Sequence, residues 1–186
     1  NVFYASIGNG GGTSISGSNY DSNGQYNLQD IYNGNLVGPF SLDPAYSETE
    51  RKAGNYLKSS INNHYWYGGL TKLNYKPREG VSISGGIDMR YYKGEHYREI
   101  YDLLGGDYAI ETDDATQRSS VKREGDVIGY NNDGIVKWAG VFYQVEQTNS
   151  IVSTFCNISA SNSAYKRIDY FKKKDLILSD TTIREA

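Results

Sequence analysis

The chain has 186 residues, with 19 basic against 22 acidic side chains and a formal net charge of -3, so nothing in its charge points to a nucleic-acid partner. Its length suits one domain better than two. With 21 Gly and 18 Tyr beside 5 Phe and 3 Pro, and a mean hydropathy of -0.63, Tyr takes over work that Leu and Phe do in an ordinary core. A Tyr ring is apolar with a polar tip, which suits boundaries: an edge between oil and water, or a surface that binds sugars and other flat ligands. The lone cysteine, Cys156, can make neither an internal disulfide nor a metal site by itself, and is expected as a small buried residue in a strand. No window approaches the ~20 consecutive apolar residues of a spanning helix, whereas a barrel strand needs only ~9–11 residues of alternating character.

Residues 1–7 carry β-forming side chains and run into Gly8-Asn9-Gly10-Gly11-Gly12, so the chain is expected to open in mid-strand. The glycines read as a loop entry; with no Lys-Ser/Thr pair or helix behind them they make no phosphate cradle. From Thr13 to about Gly54 the sequence is rich in Gly, Ser, Asn and Asp, is broken at Gly38-Pro39 and Asp43-Pro44, and shows no sustained period. It reads as a long loop, with a short helical turn near 44–52.

In the next stretch the two parities separate. Leu57, Ile61, Tyr65, Tyr67, Leu73 and Tyr75 fall on odd positions, and Lys58, Ser60, Asn62, His64, Lys72, Asn74 and Lys76 on even ones, with Trp66 and Leu70 as exceptions. This is the period of a strand with one apolar and one wet face. Pro77-Arg78-Glu79-Gly80 supplies a tight turn. Beyond it Val81, Ile83, Ile87, Met89 and Tyr91 oppose Ser82, Ser84, Asp88 and Arg90, which completes a hairpin over about 55–92.

From Tyr92 to about Asn132 the alternation fades, giving a strand extension and a second long loop over about 93–132. Asn132-Asp133-Gly134 precedes a third strand, Ile135–Gln147; a polar turn at Gln147-Thr148-Asn149-Ser150 leads into Ile151–Ala160 and on to Tyr165–Phe171, a second hairpin over about 135–171. The expected fold is all-β: one segment, 1–186, built as an antiparallel meander of long strands in which short turns alternate with two long loops. That alternation, and strands longer than the ~10 residues of a tilted bilayer crossing, favour a segment of transmembrane β-barrel.

Several clusters invite chemistry. His64 and His96, with Asp88 and Glu95 as partners, suggest a metal, but their spacing matches no ligand pattern and no metal site is assigned. Asp88 and Arg90, with Glu95, Arg98 and Glu99 further out, read as interleaved charges on a hydrated surface, since paired catalytic carboxylates need a defined separation and a pocket that shifts one pKa. No Ser elbow is present, and Cys156 has no base at strand spacing, so no catalytic residue or cofactor is assigned and the chain is not read as an enzyme. The aromatic set Tyr65, Trp66, Tyr67, Tyr91 and Tyr92 reads first as a girdle at a membrane interface and second as a stacking surface for sugars.

The run Ile61-Asn62-Asn63-His64-Tyr65-Trp66-Tyr67-Gly68, then Gly86-Ile87-Asp88-Met89-Arg90-Tyr91-Tyr92-Lys93-Gly94-Glu95-His96-Tyr97-Arg98-Glu99 and Asp102-Leu103-Leu104-Gly105-Gly106, resembles TonB-dependent outer-membrane receptors of the Bacteroidetes type. The likeness resumes at Gly125-Asp126-Val127-Ile128, Asn132-Asp133-Gly134 and Tyr165-Lys166-Arg167-Ile168-Asp169-Tyr170-Phe171, and spans roughly 55–171. It implies an internal piece of a 22-stranded barrel in the cell outer membrane, without plug, TonB box or closing strand. The partners it implies are outer-membrane lipid, the remainder of the receptor with its plug, TonB through that plug alone, and a nutrient ligand.

On this reading the chain is barrel wall and external loops of a nutrient transporter, does not transport by itself, and self-associates through its bare edges and apolar face. Ligand contacts would come from the loops at 13–54 and 93–132, with Tyr97, Arg98, Tyr101 and Tyr108 as candidates. The alternative is a soluble extracellular β-sandwich that binds carbohydrate through Tyr and Trp, its odd-position face packed on a second sheet.

Overall fold

The computed structural model describes residues 1–113 and 120–171, and the backbone course of 176–185; the basic run Lys172–Lys174 lies outside the described residues. In chain order the elements are β1 (Val2–Ile15), α1 (Leu28–Val37), β2 (Leu42–Asp43), β3 (Ser47–Arg51), β4 (Leu57–Arg78), β5 (Val81–Asp102), β6 (Ala109–Ile110), β7 (Val121–Lys122), β8 (Val127–Thr148), β9 (Ser153–Asp169) and β10 (Leu176–Glu185). A six-stranded sheet has the order β1-β4-β5-β8-β9-β10, and β2-β3 and β6-β7 form two small ones. Neighbouring strands pair antiparallel throughout.

The period-two pattern of 57–75 and 81–91 becomes the hairpin β4-β5, and the chain reverses at Glu79-Gly80 between the paired residues Arg78 and Val81. Gly80 has φ +73°, and a Cβ there would stand 2.3 Å from the Thr148 carbonyl oxygen, so the turn needs glycine on two counts. At the β8-β9 turn the Asn149 side-chain oxygen accepts from the backbone N–H of Ile151 and Val152, at 2.9 and 2.8 Å.

Residues paired across strands share a face. Tyr67, Tyr91 and Lys137 lie in one register row, and Trp66, Tyr92 and Val136 in the next. The first row belongs to what we term the Met89 face, which also carries Phe3, Ile7, Leu73, Ile87, Val141 and Tyr143; the second belongs to the Trp66 face, with Tyr4, His64, Arg90, His96 and Trp138.

Among the described residues the core gathers at one end of the sheet. Ala53, Tyr56, Ile100, Leu103, Ala109 and Ile128 cluster there, where the ends of β4, β5 and β8 meet the small sheets. Helix α1 is tied to this end by Asn35, whose side-chain N–H groups donate to the carbonyls of Asn55 (2.7 Å), Leu103 (3.0 Å) and Leu104 (3.1 Å) and whose oxygen accepts from the Gly54 N–H (2.9 Å). The Tyr56 hydroxyl donates to Glu111, and burial together with that bond raises its pKa well above the ordinary tyrosine value.

This architecture corrects the barrel expectation. A barrel wall pairs every strand on both sides, whereas the described sheets are open: β1 and β10 end the six-stranded order and no pairing joins them. Strand length does not rescue the reading, because β4, β5 and β8 have 22 residues each, about twice the ~9–11 that a crossing requires. Nor are the connections simple loops. Residues 13–54 contain α1, β2 and β3, and 93–132 contain the outer part of β5, then β6, β7 and the start of β8, all gathered into a packed system at the core end. The meander of barrel strands with two long loops is thus replaced by an all-β domain of open sheets. With it fall the outer-membrane location, the contact with outer-membrane lipid, the plug and TonB as partners, and nutrient transport through a receptor wall. Among the described residues no helix is long and apolar enough to cross a membrane. Cys156 is a further correction, since its strand position is exposed rather than buried.

Candidate ligand-binding surface

Glycine makes room on the Trp66 face. The register row Gly8, His64, Gly94, Gly134 runs across four strands with a side chain only at His64, and a Cβ at position 134 would meet nothing within 4 Å. A trough therefore crosses this part of the sheet, bare over Gly134, while over Gly94 the Tyr92 hydroxyl and His96 Nε2 lean into it. On one side stand Trp66 and Tyr92, ring centres 5.7 Å apart edge to face. On the other stand Asn62 and His96, whose Nδ1 lies 2.6 Å from the Asn62 Oδ1.

Each side chain at the trough is held by another. Trp66 donates its indole N–H to the Tyr4 hydroxyl at 3.3 Å. His64 Nδ1 lies 2.6 Å from Tyr92 Oη, and its ring stacks on Tyr92 with centres 5.7 Å apart. One row further, Arg90 makes two bonds to the Asp88 carboxylate, at 3.2 and 2.6 Å, while its guanidinium lies 4.8 Å from the centre of the Trp138 ring. The Asp88 carboxylate raises the Arg90 pKa and keeps the group charged. The result is a surface of aromatic faces interleaved with planar hydrogen-bonding groups, set by neighbours and open to solvent: Trp66 is 42% and Tyr4 39% exposed.

The Met89 face differs in kind. A depression of about 640 Å³ on it has Gly69 and Ala139 in its lining, with Phe3, Tyr67, Tyr91 and Met89 around them. Few polar groups converge there to orient a ligand. Toward the core end of that face Lys93 bridges Glu95 (2.7 Å) and Asp133 (3.1 Å), and the Tyr170 hydroxyl donates to Asp133 at 3.2 Å. The hydrogen bond from Lys93 holds the Glu95 carboxyl below its usual range.

The residues picked from sequence are dispersed. Tyr97 pairs with Ile61 and Asn131 on the Met89 face, half-buried. Arg98, on the opposite face, donates to Ser60 Oγ at 3.4 Å and lies 5.0 Å from the Tyr130 ring centre. Tyr101 is exposed, and Tyr108 is buried at the core end, its hydroxyl without a hydrogen-bond partner among the described residues. The aromatic set also divides, Trp66 and Tyr92 to one face and Tyr65, Tyr67 and Tyr91 to the other. Asp88 and Glu95 likewise lie on opposite faces, each with its own cation, so they are not a carboxylate pair. Among the described residues no three of His, Cys, Asp and Glu gather as a metal cluster.

Sequence reasoning missed Tyr4 and Trp138, which join the surface only through register, and it grouped His64 with His96 only as a metal candidate that it set aside on spacing. Counting back from the turn misses this pairing by one, because the register shifts between Tyr75 and Arg78 and only then sets position 64 against 94 and so beside 96. The likeness to TonB-dependent receptors over 55–171 is overturned by the open sheets. Compared with protein families, with curated proteins and with solved structures, the chain matches none of them.

Proposed function

We propose that the chain is a non-catalytic binding module that takes carbohydrate on its Trp66 face. The observation that carries this reading is the trough itself, where the partly exposed rings of Trp66 and Tyr4 stand beside Tyr92, Asn62, His96 and the Asp88–Arg90 pair over a floor of glycine backbone. A pyranose offers C–H groups on its faces and hydroxyls around its edge. Aromatic rings meet the first and planar amide, carboxylate and guanidinium groups meet the second. The same arrangement speaks against hydrolysis, because a general acid needs a carboxyl whose pKa is raised, and Asp88 and Glu95 are divided between the two faces, Glu95 shifted downward.

The test is a fluorescence titration of the full chain, read on its tryptophans, with neutral oligosaccharides of differing linkage. Saturable binding to at least one is expected, weakened roughly tenfold or more in Trp66→Ala, in keeping with ~1.5 kcal/mol for a stacked ring. Absence of saturable binding across the panel, or unchanged affinity in Trp66→Ala, overturns the proposal.

A further inference from the structure

The row that floors the trough does not stop at Gly134. On β9 the residue paired with Gly134 is Arg167, so the full row runs Gly8, His64, Gly94, Gly134, Arg167. Paired residues share a face, which puts Arg167 on the Trp66 face, one strand from Gly134.

The two inner glycines of the row differ. Over Gly94 the space is taken, since the Tyr92 hydroxyl and His96 Nε2 lie 2.6 and 2.8 Å from where a Cβ would stand. Over Gly134 nothing lies within 4 Å of that point. The opening is therefore local, and the register gives its border. Val136 and Tyr165, a pair one row nearer the turns, bound one side, and Asn132 and Asp169, a pair one row nearer the core end, bound the other. Tyr165 is 49% exposed.

Charge decides what such an opening can hold. The chain has a net charge of -3, which disfavours anions in general, so only a local cation can reverse the preference. Arg90 is bound to Asp88, and Arg98 donates to Ser60 and lies against the Tyr130 ring. The Arg167 side chain is exposed and makes no hydrogen bond or ion pair among the described residues. Asp169, two residues along β9 on the same face, does not pair with it; one oxygen of its carboxylate accepts from the Phe171 N–H at 2.9 Å. The half-buried Asn132 amide likewise has no partner among the described residues. A guanidinium is a planar fork that meets a carboxylate with two parallel bonds, and an amide N–H supplies a further donor.

We propose that the opening over Gly134 is a carboxylate subsite with Arg167 and Asn132 as its donors, and that the carbohydrate taken by the Trp66 face is an acidic one built with uronic acid units. This rests on the carbohydrate reading and narrows it. Trp66 and Arg167 are three strand spacings apart, roughly 14 Å, so the ring of one sugar unit meets Trp66 while the acid group of another meets Arg167.

An oligouronate, and the same oligosaccharide with its carboxyl groups reduced to alcohols, are titrated in parallel into the full chain, read on tryptophan fluorescence at low and at high salt. The acidic form should bind about tenfold or more tighter than the reduced one, an advantage that shrinks in high salt. Arg167→Gln should weaken the acidic form by about tenfold and leave the reduced form unchanged, whereas Trp66→Ala should weaken both. If the reduced form binds and the acidic form binds no tighter, or if Arg167→Gln weakens both alike, the subsite is overturned while the carbohydrate reading stands. If neither form binds, the subsite is overturned, and the neutral oligosaccharides decide the carbohydrate reading separately.

Discussion

The two ends of the long hairpin are made of one pair of strands and do opposite things. At the core end Tyr56, just ahead of β4, and Ile100 of β5, 4% and 1% exposed, join Leu103, Ala109 and Ile128, with α1 strapped on by Asn35. Toward the turn the same strands leave Leu73 71%, Tyr75 65% and Met89 57% exposed, and their partners are backbone neighbours in the sheet. Packing thus anchors one end, while hydrogen-bonded pairing carries the sheet outward past the trough. The candidate surface lies between, rigid enough to hold Trp66, Tyr92 and His64 in register and bare enough to meet a ligand.

The sharpest way to break this comparison is to cut matched side chains at the two ends. Ile100→Ala removes a buried side chain from the cluster and should cost about 2–5 kcal/mol. Met89→Ala removes a side chain that is more than half exposed and should cost less than about 1 kcal/mol. Urea unfolding of the two variants reads both values. Equal costs would mean that the apolar face near the turn is as well covered as the core end, and the contrast would be lost.

Next in size is the strap. Asn35 is 4% exposed and makes four hydrogen bonds to backbone groups of other segments. Asn35→Ala leaves those groups without their partner and should cost about 1–3 kcal/mol. Amide exchange should quicken in α1 and in the backbone at 53–56 while β5 and β8 near Met89 and Ala139 keep wild-type rates. A uniform increase along the sheet would mean that the two ends unfold as one unit.

How much of this was legible in the sequence follows from the same contrast. The outward part of the hairpin was legible because one face is apolar and the other polar, so the period-two signal over 57–75 and 81–91 survives without tertiary packing. The core end was not. Residues 93–102 mix Lys93, Glu95, Tyr97 and Arg98 on both faces, yet pairing continues to Asp102 because backbone hydrogen bonds need no pattern.

Helix α1 was missed for a related reason. Only Ile31 and Asn35 of its ten residues are buried, too few for an apolar stripe, and its N-cap Asn27 sits among other loop-forming residues. The helical turn expected near 44–52 is largely the strand Ser47–Arg51. Long strands and aromatic residues suggested a barrel, but closure depends on which strands pair last, and residue pattern does not record that. The candidate surface was half legible: its residue types were noticed one by one, while their gathering depends on a register that shifts by one between Tyr75 and Arg78, beside the turn.

The smallest effect concerns the charges that separate the two ends on the Met89 face. Glu95 is held below its usual pKa chiefly by the hydrogen bond from Lys93, and Lys93 above its own by Glu95 first and then Asp133. A carboxyl depressed in the folded state adds stability that is complete above its unfolded value, near 4.3, and is lost as pH falls through the lower folded value. A raised lysine adds stability below its unfolded value, near 10.4, and loses it as pH climbs through the higher one. Glu95→Gln should therefore destabilise by less than about 1 kcal/mol at neutral pH, since both side chains are about 30% exposed. The difference from wild type should hold from pH 6 to 9 and vanish in acid as Glu95 takes up its proton. Urea unfolding of both proteins across that range reads the difference; one that persisted undiminished at pH 2 would mean that Glu95 acts through packing, and that the boundary between the two ends is not electrostatic.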